Sequence, residues 1–370
     1  MATNNKIPKC PPLRFPQFND QWKFATISEV CKTSTGSMNT QDKIEGGAYP
    51  FYVRSSTIER ANKYTYDGIA ILTPGDGAIG KVFHYSEGKI AVHQRVYILS
   101  DITIGTKYLF YYFADKFYNR VIRMSAKNTV DSVRMNMITD MPISLPSLAE
   151  QEKIAGFLSL IDERIESCSE TIKERKREKA ALLNQLFSQK LRFPQFSDEW
   201  QQTMLGEIAE ILNSRRKPIT SSDRVRGDYP YYGASGIIDY VNEYIFDEQL
   251  LLIGEDGAKW GKDEKTAFIV SGRCWVNNHA HVLRFQNYPT YKLIEAFFFS
   301  LNLKPFVTGD APPKLTLENL KSILIHFPSL AEQEKIADFL SLIDERIEVE
   351  EELLEQYERQ KRYLLKQMFI

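Results

Sequence analysis

Residues 75–82, GDGAIGKV, carry the G-x4-G-K frame with which a phosphate loop wraps a nucleotide. The frame lacks its last member. A phosphate loop places Ser or Thr after the lysine to reach magnesium, and Val82 has no such oxygen. A second stretch, at residues 255–262, departs further, with Glu255 in place of Gly75 and one residue more before Gly261 and Lys262. What both stretches keep is Asp-Gly-Ala, a short loop and Gly-Lys. That is a tight turn offering Lys81 in one case and Lys259 or Lys262 in the other. Such lysines suit a phosphate backbone, and the same turns equally suit plain hairpins.

Other residues have the chemistry to read base edges. His93-Gln94-Arg95 sets glutamine beside arginine, the side chains that pair best with adenine and guanine. Asn277-Asn278-His279-Ala280-His281 follows the same strand signal later in the chain. Alternation would put His279 and His281 on one strand face, but no third ligand accompanies them and no metal site is expected. Similar slots with different side chains fit one scaffold reading two targets, or loops that hydrogen-bond only to themselves. A third slot holds residues 125–129 with Arg134 in one place and residues 308–314 in the other. Lys127 and Lys314 are the phosphate candidates there, with Asn128 beside the first. Arg54-Ser55-Ser56, Ser235 and Arg215-Arg216-Lys217 complete the candidate binding surface.

The paired slots belong to a duplicated chain. PSLAEQEKIAGFLSLIDERIE at residues 146–166 returns at residues 328–348 with one change, Gly156 becoming Asp338. LRFPQFNDQW from Leu13 likewise returns as LRFPQFSDEW from Leu191. A period of this length is too long for a solenoid, which repeats every 20–50 residues or so, and fits two copies of one domain. Each long block predicts a helix started by a Ser cap, with Glu150 or Glu332 closing a capping box three residues on. Apolar residues then recur at alternating four and three: Ile154, Leu158, Ile161, Ile165, Cys168, Ile172, and after a polar break Leu182 and Leu186. Ile336, Leu340, Ile343, Ile347, Leu354, Leu364 and Met368 keep the same register. The pattern predicts a coiled coil, and some 40 residues make a rod of roughly 60 Å. Antiparallel pairing is expected, with the basic run KERKREK at residues 173–179 attracted to the six glutamates between Glu348 and Glu358.

Before each rod, β-branched and aromatic runs broken by Gly and Asp predict short strands and turns, followed by one aromatic-rich helix whose rings belong to a core. The expected fold class is α/β or α+β, as two globular domains joined by two long antiparallel helices. Composition is ordinary for a globular protein, with 43% hydrophobic and 26% charged residues. No apolar run is long enough for a membrane span, the first ten residues lack a signal-peptide core, and a cytoplasmic location is expected. Cys10, Cys31, Cys168 and Cys274 lie too far apart for a zinc or disulfide framework and read as reduced thiols. Charge is uneven. Residues 1–145 hold 18 Lys+Arg against 12 Asp+Glu, whereas residues 191–327 hold 15 against 17 and would need their cations gathered on one face to hold phosphates.

Two variable α/β segments, each followed by a near-identical PSLAEQEKIAxFLSLIDERIE helix, resemble the specificity subunit of type I restriction-modification systems. The resemblance covers the chain after about residue 12. It implies an N-terminal tail (1–12), two target-recognition domains (13–145 and 191–327), and two spacer helices (146–190 and 328–370) that act as a ruler. The implied target is double-stranded DNA with two recognised halves, and two domains reaching successive major grooves on one side of a duplex should centre those halves about one helical turn, near 34–36 Å, apart. The implied partners are two methyltransferase subunits, which use S-adenosylmethionine, and restriction subunits, which use ATP and magnesium. No cofactor and no catalysis are then expected in this chain. Consistently, the only Pro-Pro pairs, Pro11-Pro12 and Pro312-Pro313, lack the Asn/Asp/Ser-Pro-Pro-Tyr/Phe context that an aminomethyltransferase uses to hold a flipped base. The rival readings are a coiled-coil scaffold that never meets DNA and an ATP-using enzyme built on residues 75–81.

Overall fold

The computed structural model describes residues 10–124, 132–309 and 312–370. The chain divides into two compact units, Met1–Cys168 with Leu353–Ile370, and Ser169–Glu352.

The first unit begins with β1 (Lys23–Thr26), the one-turn α1 (Ile27–Val30), β2 (Lys32–Thr35), β3 (Tyr49–Tyr52) and β4 (Ile58–Ala61). It continues through β5 (Tyr66–Asp67), β6 (Ala70–Pro74), β7 (His84–Ser86), β8 (Lys89–Val92) and β9 (Val96–Ser100). Then come α2 (Thr106–Met124), α3 (Met135–Thr139), β10 (Pro142–Leu145) and the start of α4 (Leu148–Phe187). Its strands form two four-stranded sheets, in the orders β2-β9-β6-β7 and β4-β3-β8-β5, and a two-stranded ribbon β1-β10. Every residue of β6 is buried, as befits a central strand covered on both faces. Helix α2 lies against the first sheet with Tyr108, Leu109, Tyr112, Phe113 and Phe117 in the core, so its aromatic rings are packing residues.

The second unit repeats this order of strands and α-helices. It contains β11 (Gln201–Met204), α5 (Leu205–Ile208), β12 (Glu210–Ile211), β13 (Arg226–Gly233) and β14 (Gly236–Val241). After these come β15 (Phe246–Asp247), β16 (Leu250–Gly254), β17 (Ala267–Val270), β18 (Arg273–Val276) and β19 (Ala280–Arg284). Helices α6 (Tyr288–Ser300) and α7 (Leu317–Lys321), strand β20 (Leu324–Phe327) and α8 (Leu330–Met368) complete the order. The sheets are β12-β19-β16-β17, β14-β13-β18-β15 and β11-β20, the same three patterns. Each unit also keeps one parallel pair, β3 with β8 and β13 with β18.

The repeated block is the fastening of each globular part to its long helix. Ser147 caps α4 through the Glu150 amide, at 3.3 Å, as expected. The Glu150 carboxylate does not complete the capping box. It takes both fork nitrogens of Arg14, at 2.7 and 2.8 Å, and is 1% exposed. In the second unit Glu332 takes Arg192 at 2.9 Å and the Trp200 indole at 3.1 Å. An arginine fork satisfies two carboxylate oxygens at once, which outcompetes a single backbone amide. Gln151 donates to the Pro146 carbonyl while accepting from the Gly105 amide, and Gln333 donates to the Pro328 carbonyl while accepting from the Thr290 hydroxyl. Phe15 on Phe157 and Phe193 on Phe339 meet edge to face at 5.8 Å in both units.

The seam of the long helices follows the expected register except near the end of α4, where Leu183 is buried in place of Leu182. In the second unit Lys176 pairs with Glu351 at 2.6 Å and Lys179 with Asp344 at 2.5 Å. Numbers rise along α4 as they fall along α8, so the helices run antiparallel there, with the basic run facing acids as its charge suggests. In the first unit Asp162 takes Lys361 at 2.5 Å and the Tyr111 hydroxyl at 2.7 Å, and Leu158 packs in a core that includes Leu364 and Met368.

Candidate nucleic-acid interface

The two units hold one backbone frame at the same place. In the first, the link between β8 and β9 is residues 93–95; in the second, the link between β18 and β19 is residues 277–279. The amide of His93 donates to the Tyr52 carbonyl, and that of Asn277 to the Tyr232 carbonyl, both at 3.0 Å. His93 Nδ1 accepts from the Arg95 amide at 3.1 Å, just as Asn277 Oδ1 accepts from the His279 amide at 2.8 Å. The Arg95 carbonyl receives the Gly75 amide and the His279 carbonyl the Glu255 amide, again both at 2.8 Å. Gly75 and Glu255 in turn receive Val133 and Leu315 through their carbonyls, at 2.7 and 2.8 Å. Tyr97 and His281 both bond that last residue's carbonyl, at 2.9 and 2.7 Å. The equivalent positions are therefore 93 and 277, 94 and 278, 95 and 279, 97 and 281.

This frame revises several expected roles. His93 is 4% exposed, and its Nε2 lies 3.3 Å from the Thr40 hydroxyl. Burial, then the neighbouring Arg54 charge, lowers its pKa, so it is a neutral structural ring. Asn277 is likewise buried. His279 and His281 do not share a strand face, because residues 278 and 279 form a turn before β19 begins. His281 is buried between the Asn213 amide and the Leu315 carbonyl, and burial lowers its pKa although that carbonyl and Glu255 oppose the shift. No metal-binding cluster occurs among the described residues. Alternation failed here because a tight turn restarts the strand phase.

The phosphate-loop resemblance also resolves. Residues 75–83 connect β6 to β7, which pair antiparallel, whereas a phosphate loop leads from a strand into a helix. Gly77 and Gly80 have φ of +71° and +63° in this connection, and Ile79 is buried in the core below it. Lys81 is exposed. The counterpart between β16 and β17 is also a hairpin, with Trp260 as its buried plug and Lys259 and Lys262 exposed.

Three side chains of the first unit converge at the rim of the frame. Asp76 takes Arg95 at 2.8 Å and Arg54 at 3.4 Å, with the Arg95 side chain 63% exposed. Gln94, Ser55 and Ser56 are exposed beside them in sequence, and Arg134, exposed, follows Val133 directly. In the second unit Asp256 takes His279 at 2.5 Å, with that ring 51% exposed. Asn278, Lys217 and Ser235 are exposed as well. Arg215, Arg216 and Lys314 are less free than expected. Arg215 pairs with Glu248 at 2.7 Å and lies over Phe246. Arg216 is largely buried on Glu255 at 2.5 Å, and Lys314 reaches the same carboxylate at 2.7 Å. Burial alone would raise the pKa of Glu255, but its bonds to Arg216 and Lys314 and the neighbouring charge of His281 outweigh this and lower it. Lys127 and Asn128 lie outside the described residues.

A family model described as the type I restriction modification DNA specificity domain matches residues 19–175 and again residues 197–359. The chain belongs to that family. A specificity-domain relative from Haemophilus influenzae, bearing the name of a type I restriction enzyme specificity subunit, is 37% identical over 145 residues, or 39% of this chain and 37% of its own length. The EcoDI specificity subunit of Escherichia coli is 29% identical over 146 residues, covering 40% of this chain and 32% of its own. The chain thus spans about a third of the length of these two relatives. The crystal structure of a type I restriction-modification S subunit from M. genitalium has the same fold, with a TM-score of 0.68 at 19% identity over 98% of this chain and 99% of that one. Within this specificity-domain chain, sequence reasoning missed Asp76 and Asp256. The retained Asp-Gly-Ala was their signal, and it read as a turn presenting a lysine to phosphate or as a plain hairpin, with no role for the aspartate.

Proposed function

We propose that this chain is the DNA-specificity subunit of a type I restriction-modification complex, with one recognition domain (13–145, 191–327) in each unit reading one half of a bipartite, asymmetric target. The observation that carries the reading is the shared frame at residues 93–95 and 277–279, which holds different exposed polar side chains on identical main-chain bonds. One scaffold with two sets of readers suits a site with two unlike halves. Arg54, Ser55, Ser56, Lys81, Gln94, Arg95 and Arg134 form the DNA surface of the first unit. Lys217, Ser235, Lys259, Lys262, Asn278 and His279 form that of the second.

The long helices α4 and α8 serve as spacer and as docking site for two methyltransferase subunits. Leu160 and Leu342, equivalent residues of the repeated block, are 60% and 59% exposed, so each copy presents the same apolar side chain to a partner. S-adenosylmethionine binds in those partners, ATP and magnesium in restriction subunits, and this chain contributes recognition without catalysis. Expressing the chain with its methyltransferase and mapping N6-methyladenine across a genome tests the reading. Methylation confined to one split motif is expected. Methylation without sequence preference would overturn it.

A further inference from the structure

We infer that Arg95 and His279 are the base-reading residues that make the two half-sites differ, and that Asp76 and Asp256 are positioning residues that aim them. The inference rests on the proposed DNA recognition and deepens it. Each link is already held without these two side chains, by the main-chain bonds of residues 93 and 95, or 277 and 279, and by the buried side chain of His93 or Asn277. The side chains of Arg95 and His279 point outward and have no part in closing the loop. Each nevertheless meets a carboxylate from the turn after the central strand, Asp76 at 2.8 Å and Asp256 at 2.5 Å.

A carboxylate in that position is wrong for gripping phosphate, since it repels the phosphate and cancels the cation beside it. It is right for aiming a base reader, because it fixes a flexible side chain before binding and so lowers the entropy lost on contact. Asp76 engages Nη1 of Arg95, which leaves the other guanidinium donors for the O6 and N7 acceptors of guanine. Asp256 engages Nδ1 of His279, whose half-exposed ring keeps Nε2 as a second polar atom for a base edge. Within the link the neighbouring exposed position carries an amide in both units, Gln94 and Asn278, so the change of chemistry there falls at 95 and 279.

The test is selection from a randomised duplex library by the full chain in complex with its methyltransferase, comparing wild type with Arg95→Lys, Arg95→Ala and Asp76→Asn. Wild type should enrich a bipartite motif with a guanine in one half. Arg95→Ala should lose preference for that guanine by roughly 5- to 150-fold, leaving the other half unchanged. Arg95→Lys, which keeps the charge but not the fork, should lose most of the same preference. Asp76→Asn should weaken that preference while total affinity for random duplex stays level or rises, because a negative charge is gone. His279→Ala should alter the opposite half alone. If Arg95→Lys keeps the wild-type motif and Arg95→Ala merely weakens binding to all sequences, Arg95 grips phosphate and the assignment is overturned. Should the wild-type complex enrich no motif at all, the DNA-recognition reading fails with it.

Discussion

Glu150 and Glu332 show how a repeated residue acquires its purpose only in three dimensions. Each stands three positions after a serine, Ser147 or Ser329, and the local pattern assigns it to the helix cap. Its partner is instead an arginine 136 or 140 residues away, in the LRFPQF segment. Glu150→Ala leaves Arg14 facing a largely buried site without its partner and should cost about 3 kcal/mol in chemical unfolding, the lower end for a broken buried pair because Arg14 keeps a route to solvent. Glu255 sets a pH dependence of its own. Its folded pKa is lowered from the ordinary value of 4.5, so its ion pairs stabilise the fold above that value and lose their contribution as pH falls through the lowered one. Wild type should therefore lose more stability than Glu255→Gln between neutral pH and pH 3, measured by unfolding at each pH. Equal losses would show that Arg216 and Lys314 find other partners.

At the scale of elements, hydrophobic period and turn chemistry made the long helices and the strand-rich segments legible, and the duplicated block showed that the architecture occurs twice. The final turns of α4 were misread by one residue, Leu183 for Leu182, because a polar stretch at residues 173–178 interrupts the pattern and lets the phase drift. The candidate site was less legible. His93 and Asn277 have the side chains of readers, and their burial beside the strand pairs β3 with β8 and β13 with β18 shows them turned inward. Lys81 was legible as an exposed turn lysine, but the hairpin around it, closed by β7, decides against nucleotide binding. Lys81→Ala should leave the recognised motif intact and reduce the slope of log affinity against log salt by about one, read from duplex binding between low and physiological salt. An altered motif would make it a base contact. Within the helices, Leu158→Ala and Leu340→Ala each empty a fully buried position and should cost about 2–5 kcal/mol in unfolding experiments.

For the molecule as a whole, duplication means that the strands and α-helices of one unit have counterparts in the other, in the same sheet orders. Charge follows the same division. Many cations of the second unit are spent on internal acids, Arg284 on Glu210 and Glu248 for example, so on the proposed reading any phosphate grip there falls to exposed lysines such as Lys217, Lys259 and Lys262. If α4 and α8 set the spacing of the target, inserting one heptad into both adds about 10 Å of helix, near three base pairs of duplex, and the unspecified gap between half-sites should lengthen accordingly. An unchanged gap would end the ruler proposal. The claim beneath all of this is that each unit reads its own half-site independently through a common frame. Replacing residues 13–145 with a second copy of residues 191–327, and mapping N6-methyladenine in cells that also express the methyltransferase, tests it most directly. The account predicts a new motif whose two halves both carry the sequence previously read by the second unit; retention of the original two unlike halves would contradict it.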